Sequence, residues 1–328
     1  MATPSDAVGT LLDSVKPIVT MERDGLVVIA LSANATPDLP AYLTFDEAAA
    51  SEAVDVHELG SGSVPTVEVE TSDSPVVIFG GDTIVGGMQN RVVNVTIWLA
   101  PGQKTHIPVT CLESGRWDHS ADRRFRSGPK ADLGMRHMLN RQVHASALQA
   151  ATYEEPAPYR YAADQAAVWA EVDRKHQRAA SSSRTGALHD LYAREASDVE
   201  ALERAFPSPE GATGAGIAIG GRLVALELFD RPATARKLWG RVVEGAVRAH
   251  LDHRRMVAAG AAKPPRHRYP DHEALARMLG RVRQAQDHVL ASDAVGEGTD
   301  LRFETERITG SALLRDDQVV HAEVHRVV

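Results

Sequence analysis

Residues 91–112 read RVVNVTIWLAPGQKTHIPVTCL and contain the clearest structural pattern in the chain. Apolar residues at the odd positions from 93 to 99 share one face, and the even positions between them form the other face. A turn at 101–103 follows, and the apolar face resumes at the odd positions from 105 to 111. This alternation predicts two antiparallel strands joined by a short loop, and hence a β-rich N-terminal part.

The alternation also predicts how these two strands pair. If both strands turn their apolar faces to one core, odd-numbered residues must lie opposite odd-numbered residues. A loop of about five residues meets this condition. The resulting register places Ile97 near Ile107 and Val93 near Cys111. It also places Arg91 opposite Glu113, so we expect these two charges to meet at one corner of the sheet.

The whole chain shows the order strands, then helices, then strands. Residues 1–117 are rich in predicted strands, and residues 131–290 are mainly helical with a hairpin inserted. Residues 300–328 follow the pattern of a three-strand meander. We therefore expect a single α+β domain with an N-terminal antiparallel β-rich sheet, a helical middle with an inserted β-hairpin, and a C-terminal β-meander.

Three local signals mark element boundaries. Thr44 and Glu47 have the spacing of a capping box, which predicts a short helix after Thr44. Gly220-Gly221, between two apolar runs, predicts a two-residue hairpin turn. Pro232 is placed to open a long helix that extends to about residue 255.

Composition and charge exclude several classes of protein. Apolar residues make up 43% of the 328 positions, which is ordinary for a globular chain. The formal net charge of −8 argues against general nucleic-acid binding. Cys111 is the single cysteine, so no internal disulfide framework is expected. No secretory signal pattern or membrane-spanning run is recognised, and a cytoplasmic protein is the expectation.

The first candidate residues for chemistry are Arg91, Glu113 and Cys111. Arg91 offers a planar donor fork for a phosphate or a carboxylate, and Glu113 can orient that fork or act as a general base. The alternative is a structural ion pair that closes the edge of a sheet. Cys111 is a candidate nucleophile activated by Arg91 or Arg116, and the alternative is a small core residue.

The residues around this pair extend the candidate site. Gln89 and Asn90 supply amide donors and acceptors beside the glycine-rich segment 80–87. That segment matches no Walker A or GxGxxG pattern and no helix is predicted after it, so tight turns between strands are the favoured explanation of its glycines. Trp117, next to Arg116, can stack on a purine, or it can pack as a hydrophobic residue at the end of a strand.

Two further observations concern a metal and a buried carboxylate. His106 and Cys111 are five positions apart and fall on opposite faces of a strand, so this segment does not predict a metal site. Glu227 stands among apolar residues on a predicted strand. It either faces a site across the sheet or points to solvent.

Several of these segments together resemble the ARPP-1 family, the ADP-ribosylglycohydrolase- and rhodanese-phosphatase-associated protein domain. The segments are 41–48, 62–65, 86–94, 107–117 and 220–229. The combination of Gln89-Asn90-Arg91 with Cys-x-Glu-x-x-Arg-Trp at 111–117 is the most specific part of the resemblance. One departure is Gly80-Gly81-Asp82-Thr83, which stands where a Gly-Glu-Glu-like acidic turn is expected.

The resemblance implies a ligand class, by association, and no established reaction. Under the first hypothesis the protein binds, and acts on, an ADP-ribose-like or other phosphorylated nucleotide. Arg91 and Arg116 then hold phosphate, Gln89 and Asn90 bind ribose or phosphate, Trp117 stacks on the base, and Glu113 orients the group or acts as a base. Under the alternative the chain is a non-catalytic interaction module that partners a separate enzyme. No cofactor is indicated.

Overall fold

The computed structural model describes residues 4–34, 38–60, 62–116, 124–153, 159–264, 272–285 and 288–327. Within these ranges the fold is α+β, as predicted. The α-helices are α1 Pro4–Ser14, α2 Phe45–Ala50, α3 Leu133–Tyr153, α4 Gln165–Arg178, α5 Leu188–Glu203, α6 Pro232–Ala258 and α7 His272–Ala285. None of the helices in the described ranges has the length and apolar character needed to cross a bilayer.

The strands form three sheets. The first half of the chain supplies β1 Lys16–Arg23, β2 Leu26–Ser32, β3 Leu43–Thr44, β4 Val54–Glu58, β5 Thr66–Thr71, β6 Val76–Ile78, β7 Thr83–Val85, β8 Arg91–Val93, β9 Ile97–Leu99, β10 Lys104–Cys111 and β11 Arg126–Ser127. The second half supplies β12 Gly214–Ile219, β13 Arg222–Phe229, β14 Leu290–Asp293, β15 Thr299–Glu304, β16 Ile308–Arg315 and β17 Gln318–Arg326.

The largest sheet joins parts of the chain that are far apart in sequence. Its strand order is β1-β2-β12-β13-β17-β16-β15-β14, so the predicted hairpin and the predicted meander share one sheet with the N-terminal strands. A second sheet has the order β11-β7-β8-β10-β5-β4, and a third has the order β3-β6-β9. The sequence patterns did not reveal α1 and β1.

The predicted pairing of residues 91–99 with 105–111 is wrong in register. Arg91 lies opposite Cys111 and Val93 opposite Val109, a shift of two residues that keeps odd positions facing odd positions. Ile97 belongs to a different sheet, where it lies opposite Ile78. The continuous alternation therefore covers two strands that pair with different partners.

The break in the alternating run has a physical cause at Asn94. Its side-chain amide donates to the carbonyl of Tyr161 at 2.9 Å and its oxygen accepts from the hydroxyl of Thr110 on β10 at 2.7 Å, so the Asn94 side chain is tied both to β10 and to a residue outside the sheets. On the opposing strand, β10 pairs with β5 up to Pro108 and with β8 from Val109 onward. Proline has no N–H to donate, which makes Pro108 a natural point for the change of partner.

The three local signals are confirmed. Thr44 and Glu47 form a capping box at the start of α2. Gly220 and Gly221 have φ values of +61° and +76°, which a two-residue turn of this kind requires. Pro232 stands in the first turn of α6.

The core fixes where a site can form. α6 covers one face of the eight-stranded sheet through residues such as Leu238 and Val242, and α1 and α7 cover the other face. α3 lies between two sheets. Its Asn140 bonds to Thr309 of the large sheet at 3.0 Å, and its Val143 packs in the core of the second sheet. Residues on α3 are therefore enclosed from both sides.

Candidate functional site

Arg91 is fully buried, and its partner is Glu58 instead of the predicted Glu113. The Nη2 atom of Arg91 lies 3.0 and 2.8 Å from the two carboxylate oxygens of Glu58, at the end of β4. The backbone N–H of Met88 donates to the same carboxylate at 2.9 Å. Since β4 and β8 are separated by β10 and β5, this ion pair links non-adjacent strands across the sheet.

Glu113 lies in a separate cluster, where three groups donate to its carboxylate. These donors are Arg116 at 2.7 Å, the Thr185 hydroxyl at 2.6 Å and the backbone N–H of Asn90 at 3.2 Å. Burial on its own raises the pKa of Glu113, but these three donors outweigh burial and lower it. A carboxylate that is ionised and already bonded to three donors is a weak proton acceptor.

Gln89, Asn90 and Arg116 complete the same cluster. Gln89 donates to the carbonyl of Glu113 at 2.8 Å, and its own amide oxygen is buried without a partner among the described residues. Arg116 donates to the Asn90 side chain at 3.2 Å and to the carbonyl of Gly87 at 2.7 Å. Trp117 lies outside the described residues.

Cys111 is buried on β10, and burial raises the pKa of its thiol to about 11. Its backbone N–H and C=O both bond to the side chain of Gln165 on α4, at 2.8 Å each. The thiolate is the nucleophilic form of cysteine, and at neutral pH this residue is a thiol. These contacts favour the alternative reading, in which Cys111 is a core residue.

We expect Glu58→Gln to lower the free energy of unfolding by about 1–3 kcal/mol, because it leaves the buried guanidinium of Arg91 without a carboxylate. Urea unfolding of the variant measures this loss. Glu68→Gln on the neighbouring β5 is the matched control, since the partners of Glu68 are the half-exposed Lys104 and His106. Equal losses in the two variants would show that the Arg91–Glu58 pair stabilises the fold no more than the exposed ion pairs of Glu68 do.

A cavity of about 770 Å³ lies elsewhere, and none of the predicted site residues lines it. It is enclosed by the first turns of α3, by α4 and α6, by the β12–β13 turn, and by the end of β17. Its apolar wall includes Leu133, Ile219, Val224, Ala249 and Met256. Ligand sites of about 300–1,000 Å³ with apolar walls and few polar groups are typical of small-molecule binding.

Lys175 of α4 provides a buried positive charge on the cavity wall. Its Nζ atom lies 3.0 Å from Asp132 and 3.3 Å from Asp252. Burial lowers the pKa of Lys175, but the two carboxylates outweigh burial and raise it, so the ammonium stays charged. Arg178 also donates to Asp252, and the hydroxyl of Tyr192 donates to Asp132. An ammonium has three N–H donors, and the described contacts use two of them.

A second network of buried charged residues lies next to the cavity and joins α3 to strands β13 and β17. Glu227 of β13 and Glu323 of β17 are direct cross-strand partners, so their side chains share one face. Arg136 of α3 bridges them, at 2.8 Å from Glu227 and 2.6 Å from Glu323. His321 and His325 lie 3.3 Å from Glu227 and Glu323 respectively. Glu227 therefore faces neither solvent nor a cavity, but a network of buried charges.

The cavity lining is more basic than the rest of the chain. It contains four basic side chains and two carboxylates. The basic residues are Lys175, Arg222, Lys263 and Arg326. The chain as a whole has a formal charge of −8. An excess of positive charge in a concave region of an acidic protein favours an anionic occupant.

A family model matches residues 15–325, described as the ARG and Rhodanese-Phosphatase-superfamily-associated Protein domain, ARPP-1. The chain belongs to the ARPP-1 family. The match covers nearly all of the 328 residues and includes the Glu113 cluster and every cavity-lining residue except Arg326. The family description records association with two protein superfamilies and names no reaction. No curated protein and no solved structure matches the chain.

The cavity residues of this ARPP-1 domain were missed by sequence reasoning. Asp132, Lys175 and His325 are far apart in the chain, and each looks like an ordinary polar residue in its own segment. One signal was present in β17, where ionisable residues occupy positions 321, 323 and 325 between apolar neighbours. Together with Glu227 on a strand of apolar residues, this pattern indicates a polar face that another element must cover.

Proposed function

We propose that this ARPP-1 protein binds a small anionic ligand in the 770 Å³ cavity, and that the ligand is a phosphorylated nucleotide of the ADP-ribose type. The observation that carries the proposal is the basic lining of an apolar cavity on an acidic chain. The apolar wall suits a planar base, and the exposed Arg222 and Lys263 suit phosphate groups at the mouth. The family's association with ADP-ribosylglycohydrolases supports the choice of ADP-ribose as first candidate.

The Gln89–Asn90–Arg91 segment has a structural role under this proposal. Arg91 is held by Glu58, and Glu113 is held by Arg116, Thr185 and Asn90. Charges that are buried and already paired release little free energy to an incoming phosphate, because their existing bonds must break first. We therefore propose that the ligand binds in the cavity and not at the predicted corner of the sheet.

We expect ADP-ribose at a hundredfold excess over its dissociation constant to stabilise the protein by about 2.7 kcal/mol. Arg222→Glu is expected to weaken ADP-ribose binding by about tenfold, because it places a negative charge at the mouth of the cavity. A thermal-shift titration with ADP-ribose, NAD, ADP and AMP measures both effects.

Arg204→Glu is the control for this charge reversal. Arg204 is exposed at the C-cap of α5 and does not line the cavity, so its reversal changes net charge equally without changing the lining. An equal loss of affinity in the two variants would point to the overall charge instead of the cavity. The absence of a shift with all four compounds, at millimolar concentrations, would refute the nucleotide proposal.

A second function, a non-catalytic module that partners a separate enzyme, is favoured by the family description. The buried networks around Arg91 and Glu113 suit such a role, because carboxylates held by several donors fix one arrangement of the surrounding sheet. Under this reading the cavity stays vacant in the working complex. Co-purification with an ADP-ribosylglycohydrolase, without any nucleotide effect on the isolated chain, would favour it.

A further inference from the structure

His325 combines burial in the fold with access to the cavity. It is 2% exposed and belongs to β17, yet it contributes to the cavity lining. Its Nε2 atom lies 3.3 Å from the carboxylate of Glu323. No hydrogen bond from the described residues reaches the other ring nitrogen, Nδ1. Nδ1 is thus the ring nitrogen available to a molecule in the cavity.

The tautomer of His325 follows from its partner. Burial raises the pKa of Glu323, but Arg136 and the neighbouring imidazoles outweigh burial and hold it well below its usual value. An ionised carboxylate only accepts hydrogen bonds, so Nε2 of His325 must carry a proton. In the neutral ring Nδ1 then carries the lone pair.

In the same network, both ring nitrogens of His321 have hydrogen-bond partners. Its Nε2 atom lies 3.3 Å from Glu227, the counterpart of the His325–Glu323 contact. Its Nδ1 atom, however, lies 2.8 Å from the hydroxyl of Thr96. Because Nε2 of His321 donates to the carboxylate of Glu227, Nδ1 of the neutral ring accepts from the Thr96 hydroxyl, which itself accepts from the N–H of Gly80. Two histidines on one strand, each with Nε2 beside a glutamate, therefore differ in the occupancy of Nδ1 and in contact with the cavity.

The neighbouring His137 adds a second group to this part of the wall. Its ring centroid lies 6.0 Å from that of His325, and its Nε2 atom is buried without a hydrogen-bond partner among the described residues. Burial, with the nearby His325 and Arg141, lowers the pKa of His137 to about 4. His137 is accordingly neutral near pH 7 and adds no charge that would repel a protonated His325.

We infer that His325 is the proton acceptor of the cavity, held in place by Glu323, and that the cavity performs acid–base chemistry on its occupant. This inference rests on the proposed binding function. In the step, an O–H bond of the occupant breaks, its electron pair stays on oxygen, and the proton forms an N–H bond at Nδ1 of His325. The carboxylate of Glu323 then balances the positive charge of the imidazolium. Glu323 is a positioning residue, because it acts through His325.

The first test uses acylation of imidazole nitrogens by diethyl pyrocarbonate. An accessible ring nitrogen with a lone pair attacks a carbonyl carbon of the reagent, and carbon dioxide and ethanol are released. With the full-length folded protein near pH 7, we expect His325 to be acylated about tenfold faster than His321, as measured by peptide mass spectrometry. His321 is the matched control, since it is equally buried on the same strand.

The second test reads the tautomer directly by nitrogen-15 NMR. We expect His325 to be protonated at Nε2 and unprotonated at Nδ1 near pH 7. Equal protection of His325 and His321 from acylation, or a proton on Nδ1 of His325, would overturn the inference. A His325 that only packs in the core, with Nδ1 out of reach of the cavity, predicts no difference in acylation rate between His325 and His321.

Acylation in the presence of ADP-ribose distinguishes this inference from the proposed binding function. Saturating ADP-ribose is expected to slow acylation of His325 about tenfold and to leave the half-exposed His57 and His106 unchanged. If His325 reacts but ADP-ribose neither protects it nor shifts the melting temperature, the nucleotide proposal fails and the proton acceptor stands. If ADP-ribose stabilises the protein but His325 is inert, the proton acceptor fails and binding stands.

Discussion

Replacement of Arg136 by leucine is expected to lower the free energy of unfolding by about 3–5 kcal/mol. Arg136 is buried and bonds to Glu227 at 2.8 Å and to Glu323 at 2.6 Å. Leucine fills much of the same space but leaves two carboxylates in the core without their main counter-charge. Removing one partner of a buried ion pair is costly because the remaining charge stays desolvated. Urea unfolding, with midpoint and slope fitted together, measures the loss.

Arg141→Leu is the control for this prediction, since it makes the same change on the same helix. Arg141 pairs with Glu304 at 3.0 Å, but its side chain is 48% exposed. Exposed ion pairs contribute about 0–1 kcal/mol, so the control is expected to stay close to the parent protein. A loss in Arg136→Leu no larger than in Arg141→Leu would contradict the assigned role of the buried network.

A combined variant tests whether the cost comes from unpaired charge. Arg136→Leu, Glu227→Leu and Glu323→Leu together remove these three charges, and the buried Lys130, which also contacts Glu227, keeps its pairing with Asp82 at 3.4 Å. Replacing a complete buried ion network by apolar residues is often neutral or stabilising. We therefore expect the triple variant to be more stable than Arg136→Leu alone, although it removes more hydrogen bonds. His321 and His325 lose their partners in this variant, which makes it useful for stability and not for function.

Local signals predicted local structure well in this chain. The capping box at Thr44, the turn at Gly220-Gly221 and the helix opened by Pro232 all depend on residues within one turn of each other. The α+β class also followed from the order of the elements along the chain. These features need no knowledge of distant partners, because backbone sterics and nearby hydrogen bonds determine them.

Strand pairing was less predictable, because it depends on partners far away in sequence. The run from 91 to 99 alternates without a break, yet Asn94 is held by Tyr161 and divides it into two strands of different sheets. Alternation fixes which residues share a face, and the odd-to-odd pairing was therefore right. It does not choose between registers that differ by two residues, so Arg91 came to lie opposite Cys111.

The polar sites show the same limit more strongly. Arg91 and Glu113 were each recognised as candidates, but Glu58 and Thr185, which hold them, were not. An ionisable residue can be noticed in a sequence, whereas its partner depends on the tertiary fold. Lys175 was unremarkable on a polar helix until the fold placed it between Asp132 and Asp252.

Acid is expected to destabilise this protein through the buried carboxylates of β13 and β17. In the folded state the pKa of both Glu227 and Glu323 is lowered, because Arg136 and other nearby cationic groups outweigh the effect of burial. A carboxyl group with a lowered folded pKa stabilises the fold above its unfolded pKa, near 4.5. That stabilisation is lost as the pH falls through this value toward the folded pKa.

We expect the free energy of unfolding to fall as these two carboxylates take up protons, beginning near pH 5 and continuing below pH 3. Asp300 acts in the opposite direction. Burial, which outweighs the nearby Arg302, raises the pKa of Asp300, so its contribution is present at low pH and lost as the pH rises. Among the described carboxylates the pKa is lowered for five (Glu47, Glu113, Glu227, Asp252 and Glu323) and raised for two (Glu203 and Asp300), so the net slope remains destabilising in acid. Urea unfolding at a series of pH values measures this slope.

The Arg136→Leu variant identifies the source of the acid sensitivity. Without Arg136 the main cause of the lowered pKa of Glu227 and Glu323 is gone, and burial then favours their protonated forms. We expect the variant to lose less stability than the parent between about pH 5 and pH 3, although it is less stable at pH 7. Surface carboxylates titrate alike in both proteins, so the difference between the two slopes reports the buried pair. Parallel slopes would mean that the acid sensitivity arises elsewhere in the chain.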